Sequence, residues 1–305
     1  IGKYQEAIAD FQESIKREDG STVTSTYYEM GMAYYYDGQF EEAAACFMKT
    51  IHKPATIPAY YYMLAKSLER MERTEEAVTY LLEGIKLLDT YETRPDNGYA
   101  IFAATTNYSY GAFKTFQRLM EPTYSLRKDL AELYVKLQQY DLAVLTLGEA
   151  LRKYPDAPVL YLARGKAFAE LDQVAAAIDD FEQAIRLNPT DYGGYFEAAA
   201  LYRLHGEGEQ ECHLLEQLYD QAQDAPVVIY RLADAYWRND RLEDALRIND
   251  ALLAIEDDDA LNFMQRGEIM LRLDRLPEAE QAFARAAEMD HGNAKYRRSY
   301  VLYLL

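Results

Sequence analysis

The chain has 305 residues, and half of them are apolar by type, which is enough for a large buried core. Its 51 acidic and 32 basic side chains give a net charge of −19, which argues against nucleic acid and anionic membrane surfaces as partners, since both attract a basic face. The two cysteines, Cys46 and Cys212, form no disulfide framework, which favours a reducing compartment such as the cytoplasm without deciding it. No apolar run is long enough for membrane insertion.

Residues 1–20 predict a single helix that matches the second helix of the hairpins described next, without a first helix before it. We therefore expect the chain to begin inside a repeat and to be a fragment of a longer protein.

From residue 24 onward a spaced pattern of small and bulky residues recurs. A small residue is followed 12 positions later by an alanine and four positions after that by a residue that is usually bulky and apolar. The small residues are Gly31, Ala65, Ala131, Gly165, Ala233 and Gly267, and the alanines are Ala43, Ala77, Ala143, Ala177, Ala245 and Ala279. A copy with Ala199 has Glu211 where its second alanine should stand. This spacing predicts pairs of antiparallel helices whose backbones approach closely at the small residues.

Turn and proline positions fit the same frame. Short polar residues predict a turn between the two helices at Asp37-Gly38, Asp172, Asn239-Asp240 and Asp274. Prolines predict first helical turns at Pro58, Pro158 and Pro226.

Seven copies of a 34-residue unit can be framed, at 24–57, 58–91, 124–157, 158–191, 192–225, 226–259 and 260–293. The best copy has Tyr161, Gly165, Phe168, Ala177, Phe181, Ala184 and Pro189 in register. A helix–turn–helix unit of this length with these positions resembles the tetratricopeptide repeat family. The resemblance implies an all-α fold, a right-handed α-solenoid of helix–turn–helix repeats.

The chain is thus expected to divide into four parts. Residues 1–89 form N-terminal repeats, the first one truncated, and residues 124–293 form five consecutive repeats. Residues 90–123 form either a degenerate repeat with a long entry loop from Thr90 to Gly98 or a functional insertion. Residues 294–305 begin a further or capping helix, and their apolar character makes self-association through an open end an alternative to truncation.

The resemblance also implies where partners bind. In this family the second, fifth, ninth and twelfth positions of the first helix line a concave groove that binds extended or helical peptides. Carried over to this chain, these positions give a groove of aromatic and mixed charged residues. The candidate contacts are Tyr28, Met32, Tyr35, Tyr62, Lys66, Lys128, Leu162, Lys166, Phe196, Arg203, Tyr230 and Trp237. The alternative for the aromatic residues is packing between repeats.

Charge along the groove suggests the ligand. Lys66, Lys128, Lys166 and Arg203 give it a basic lean, so an acidic or carboxylate-ended peptide is one candidate partner, although Glu69, Glu132 and Asp234 also face it in this frame. The sequence offers no catalytic motif, no metal-ligand spacing and no phosphate-binding loop, so we expect no enzyme activity, no metal and no cofactor. The leading hypothesis is a protein- or peptide-binding scaffold. The alternative is a regulatory or assembly segment of a larger multidomain protein, with a sensor, transport or catalytic domain outside these residues.

Overall fold

The computed structural model describes residues 3–17, 23–51, 57–92 and 124–289. Throughout these ranges the regular structure is helical, with no strand. The chain divides into two compact units, Ile1–Gln173 (unit one) and Val174–Leu305 (unit two), and each is described by itself.

The helices of unit one alternate with short turns. They are α1 (Tyr4–Arg17), α2 (Val23–Tyr36), α3 (Phe40–Thr50), α4 (Pro58–Arg70), α5 (Thr74–Glu92), α6 (Ser125–Lys136), α7 (Tyr140–Lys153) and α8 (Pro158–Glu170).

Unit two continues the same alternation. Its helices are α9 (Val174–Leu187), α10 (Gly193–Leu204), α11 (Gly208–Gln221), α12 (Pro226–Arg238), α13 (Leu242–Ile255), α14 (Ala260–Arg272) and α15 (Leu276–Met289). Within each unit, every helix packs against the next one along the chain, as in stacked hairpins. The predicted fold class, an all-α solenoid of helix–turn–helix repeats, is confirmed.

The turns inside the hairpins share one backbone geometry. The second residue after each first helix adopts a left-handed conformation, as at Gly38 (φ 83°), Asp172 (φ 57°) and Asp240 (φ 61°). The next backbone N–H then donates to a carbonyl five residues earlier, for example Gln173 to Phe168 at 2.9 Å. Glycine adopts this conformation freely and aspartate tolerates it, which explains the predicted turn residues. The prolines Pro58, Pro158 and Pro226 are the first residues of their helices, as predicted.

The small residues of the repeat pattern lie at the tightest helix contacts. Ala43, Ala77, Ala143, Ala245 and Ala279 are fully buried. A Cβ atom on Gly31 would lie 2.8 Å from the ring of Phe47, and one on Gly267 would lie 2.4 Å from the ring of Phe283. The small residues thus allow the backbones to approach closely, and the bulky side chain that follows fills the space that a larger residue would occupy.

Glu211, which replaces the expected alanine, is buried and charged. Its carboxylate accepts from Arg238 Nη2 at 2.8 Å and from Asn239 Nδ2 at 3.3 Å. Arg238 also bonds Asp234 one turn earlier on α12. The buried carboxylate is therefore paired by the next repeat, which offsets its desolvation.

The hairpin α4/α5 packs directly against α6, the next helix along the chain that the structure describes. Arg127 at the start of α6 forms an ion pair with Asp89 of α5, and Leu126 packs beside Gly84. The predicted loop beginning at Thr90 is wrong for its first residues, because α5 continues through Glu92. The rest of the predicted degenerate repeat or insertion, and the predicted helix at 294–305, lie outside the described residues.

Candidate protein-interaction surface

A cleft of about 510 Å³ opens between the first helices of two consecutive repeats in unit one, α6 and α8. Its floor is apolar because α6 and α8 present small and branched residues there, and Leu147 of α7 closes the bottom. The apolar residues are Ala131, Val135, Leu147, Val159, Leu162 and Ala163. Val159, the residue after the proline that starts α8, is 37% exposed. Concave sites of this size with apolar floors are the usual places where proteins bind side chains of a ligand.

Charged side chains surround this apolar floor. Lys128, Glu132 and Lys136 come from α6, and Lys166 comes from α8. Lys128 Nζ lies 2.5 Å from Glu132 Oε1 and 3.7 Å from Asp129 Oδ1. The cleft thus combines three of the predicted contacts, Lys128, Leu162 and Lys166, in one site.

A network of charges joins α4 to α6 beside the cleft. Lys66 Nζ lies 2.6 Å from Glu69 and 3.6 Å from Asp129, and Glu69 also pairs with Lys136. The Tyr62 hydroxyl donates to Asp129 at 3.1 Å. Tyr62 and Lys66, both predicted to contact a partner, therefore bridge two layers of the stack.

The network shifts the pKa values of its members. Burial acts to lower the pKa of Lys66, but the hydrogen bond to Glu69 and the charges of Asp129 and Glu69 outweigh it and raise the pKa above its usual value. Burial likewise acts to raise the pKa of Glu69, and hydrogen bonds from Lys136 and Lys66 overcome it, so this pKa is lowered. Both groups are held in their charged forms at neutral pH.

The predicted aromatic contacts at the start of unit one take different positions. Tyr28 was expected in the groove, but it is fully buried, with its ring 5.5 Å from that of Phe47 and 5.1 Å from that of Tyr60. Tyr60, from the next repeat, covers the side of α2 on which Tyr28 stands, so the alternative of packing between repeats is correct for this residue. Met32 and Tyr35 are half-buried against the core, and the ring of Tyr35 packs edge-on against Phe40 at 5.5 Å.

In unit two, aromatic residues of α10 and α12 keep part of their surface exposed. Arg231 lies over the ring of Phe196, 4.2 Å from its centroid, and Arg272 lies over Trp237 at 5.3 Å. Tyr230 is half-buried, and its backbone carbonyl accepts from Gln265 of α14 at 3.0 Å. Arg203 is exposed near the end of α10. These four predicted contacts lie on the first helices, as the frame requires.

Some surface residues on the first helices were not selected from the sequence. Val159 and Val227 hold the second frame position and are 37% and 49% exposed. The family pattern names this position, so the signal was present in the sequence. Lys136, at the edge of the cleft, follows the last groove position and carries no such signal.

Within the described ranges, no cluster of three or more His, Cys, Asp or Glu side chains could hold a metal ion. Both cysteines are buried, and burial raises the pKa of the Cys46 thiol to about 11. In the described part of the chain, no helix combines the length and the hydropathy that a membrane crossing requires.

Comparison with known proteins places these repeats in a family. A model of the tetratricopeptide repeat matches residues 28–92 and residues 128–192. The two matches cover the hairpins that frame residues 93–123, including the cleft between α6 and α8.

Curated relatives carry the same repeats at low identity. The chain is 22% identical over 275 residues to the TPR repeat-containing protein YpiA of Bacillus subtilis, covering 87% of this chain and 64% of that protein. It is 25% identical over 174 residues to the mouse tetratricopeptide repeat protein 16, covering 57% of this chain and 20% of that protein. The chain thus spans between a fifth and two thirds of the length of these relatives.

Solved structures share the fold. A tetratricopeptide repeat protein from Parabacteroides merdae aligns with a TM-score of 0.53 at 15% identity, covering 94% of this chain and all of that one. The C-terminal part of a TPR repeat-containing protein from Cytophaga hutchinsonii aligns with a TM-score of 0.57 at 15% identity, covering 97% and 93%. The matches at 28–92 and 128–192 show that these residues are tetratricopeptide repeats, and the solved structures show that the chain has the fold of such repeats, a helical scaffold of the kind generally used for protein interactions.

Proposed function

We propose that the chain binds segments of other proteins on the face formed by its first helices, and that the cleft between α6 and α8 is the contact site of unit one. One observation carries this proposal: two consecutive repeats leave an apolar floor of about 510 Å³ open between them, with a valine that is 37% exposed. Exposed apolar surface of this kind is unfavourable in water, and the system gains free energy when a partner covers it.

The experiment compares two apolar-to-charged substitutions on one unit. Val159→Glu places a carboxylate in the cleft, and Leu145→Glu places one on α7, where Leu145 is 57% exposed and does not line the cleft. The amount of partner protein that coprecipitates with each variant and with the wild type is measured. We expect Val159→Glu to lose the partner and Leu145→Glu to keep it. Equal recovery with both variants would contradict the proposal.

Unit two offers a candidate surface of its own. Tyr230, Trp237 and Phe196 present aromatic surface on α10 and α12, and amphipathic aromatic residues are frequent anchors of binding. We assign Arg203 to this surface of unit two, and Met32 and Tyr35 to the first-helix face of unit one, each in a secondary role, since they lie on first helices and are not among the residues that line the α6/α8 cleft.

We also propose a domain organisation in which residues 93–123 are an insertion between consecutive layers. Contacts between first helices of consecutive repeats in unit two join positions 35 residues apart, as in Gln265 with Tyr230. The Tyr62–Asp129 contact between α4 and α6 joins positions 67 residues apart. The chain between these two helices is therefore 32 residues longer than the repeat spacing in unit two requires. The hairpins on both sides therefore meet as neighbours. This organisation is compatible with a regulatory role in a longer protein, which the comparisons do not favour over a scaffold.

A further inference from the structure

The charges of the α6/α8 cleft differ in sign from the chain as a whole. Three lysines and one glutamate line the cleft, although the whole chain carries a net charge of −19. A local excess of positive charge on an acidic protein attracts acidic segments and repels basic ones.

Exposure strengthens this difference. The carboxylates beside the cleft that neutralise lysines are covered, because the side chains of Asp129 and Glu69 are only 14% and 16% exposed. The side chain of Lys136, which pairs with Glu69, is 54% exposed, and Lys166 is exposed as well. A ligand that approaches the cleft therefore meets more ammonium groups than carboxylates, with Glu132 as the exposed exception.

The floor of the cleft adds a second requirement. Val135, Leu162 and Ala163 provide no hydrogen-bonding side chain, so a polar group placed on them would lose water without a partner. A bulky apolar side chain on the ligand would instead cover them and Val159.

We propose that the partner segment of this cleft is an acidic stretch of protein that carries a bulky apolar side chain between its carboxylates. This inference rests on the proposed function and names the chemistry of the partner. The apolar side chain enters the cleft between α6 and α8, and the flanking carboxylates lie toward Lys136 and Lys166.

The test uses the full chain and three short synthetic peptides that carry a fluorophore. One contains Leu-Phe between Asp and Glu residues, one has Ser-Ser in place of Leu-Phe, and one has Lys and Arg in place of the acids. Fluorescence anisotropy gives the affinities. We expect the first peptide to bind at least about tenfold more tightly than either of the others, and its affinity to fall as salt rises.

Two charge reversals provide the matched comparison. Lys166→Glu changes a residue of the cleft, whereas Arg152→Glu makes the same change on α7, where the side chain is 75% exposed. We expect Lys166→Glu to weaken binding of the acidic peptide about fivefold and Arg152→Glu to weaken it less than twofold. Equal effects of the two reversals would overturn the inference.

The outcomes separate this inference from the function on which it rests. If the basic peptide binds more tightly than the acidic one, and Val159→Glu abolishes that binding, the acidic character of the partner would be refuted. The cleft would remain a binding site. Unchanged binding of every peptide and of the coprecipitated partner in Val159→Glu would refute the proposed function itself.

Discussion

Replacement of Gly267 by alanine tests the close helix packing on which the repeat depends. A Cβ atom at this position would lie 2.4 Å from Cε1, 2.5 Å from Cδ1 and 2.8 Å from Cζ of Phe283, whose side chain is 2% exposed. The ring cannot move away without disturbing the core, and overpacking of this kind costs about 1–3 kcal/mol or more. Alanine favours the helix by about 1 kcal/mol over glycine. We expect a net destabilisation of up to about 2 kcal/mol.

Gly148→Ala is the matched substitution. This glycine is also inside a helix, α7, but the nearest atom to its added Cβ is Arg164 Nη1 at 3.8 Å, an ordinary contact. Helix propensity then acts alone, so the variant should gain about 0.5–1 kcal/mol. Urea unfolding followed by circular dichroism measures both changes, and they should have opposite signs.

The chain itself supplies the rescue variant. Gly31 and Gly267 are each followed 16 residues later by phenylalanine, whereas Ala65 and Ala131 are followed by leucine at the same distance. Adding Phe283→Leu to Gly267→Ala should therefore recover stability relative to the sum of the two single changes. A stabilising Gly267→Ala, or additive effects in the double variant, would refute the packing argument.

Three further predictions concern the charge network around Lys66 and Glu69, the buried Tyr28 and the proposed insertion. In the folded chain the pKa of the Glu69 carboxyl lies below its ordinary value of 4.5. The charged carboxylate therefore stabilises the fold above pH 4.5, and this stabilisation is lost as the pH falls through the pKa of the folded state. The stability difference between wild type and Glu69→Gln, from urea unfolding, should shrink on acidification, and a constant difference would exclude this role. Tyr28→Ala should cost about 3–5 kcal/mol, because the ring is fully buried, and a change below about 0.5 kcal/mol would mean that it lies on the surface. If residues 93–123 are an insertion, as proposed, replacing them by a short glycine–serine linker should leave the thermal midpoint nearly unchanged, whereas loss of the helical circular dichroism signal would contradict the proposed insertion.

The sequence predicted the fold because its determinants are local and repeated. The spacing of Ala65 and Ala77, the first-turn proline Pro58 and the turn residue Asp172 each act within one hairpin, so one chain suffices to recognise them. The same frame located Leu162 and Lys166, which lie in the cleft.

The properties that the sequence did not reveal depend on contacts between repeats. Tyr28 is buried because Tyr60 of the next repeat covers it, and nothing in the pattern of its own helix shows this. Lys66 is paired with Asp129 on a helix 63 positions further along the chain, so the predicted basic groove is partly neutralised. The spacing of 66 residues between Ala65 and Ala131 left both a degenerate repeat and an insertion open, and the contact of Tyr62 on α4 with Asp129 on α6 could not be read from that spacing.

The central claim is that the cleft between α6 and α8 contacts a partner protein, and site-specific photocrosslinking tests it most directly. A photoreactive amino acid is introduced at Val159, inside the cleft, or at Leu145, outside it. With the partner recovered by coprecipitation, we predict a crosslinked product from position 159 and none from position 145. A product from position 145 alone would contradict the claim.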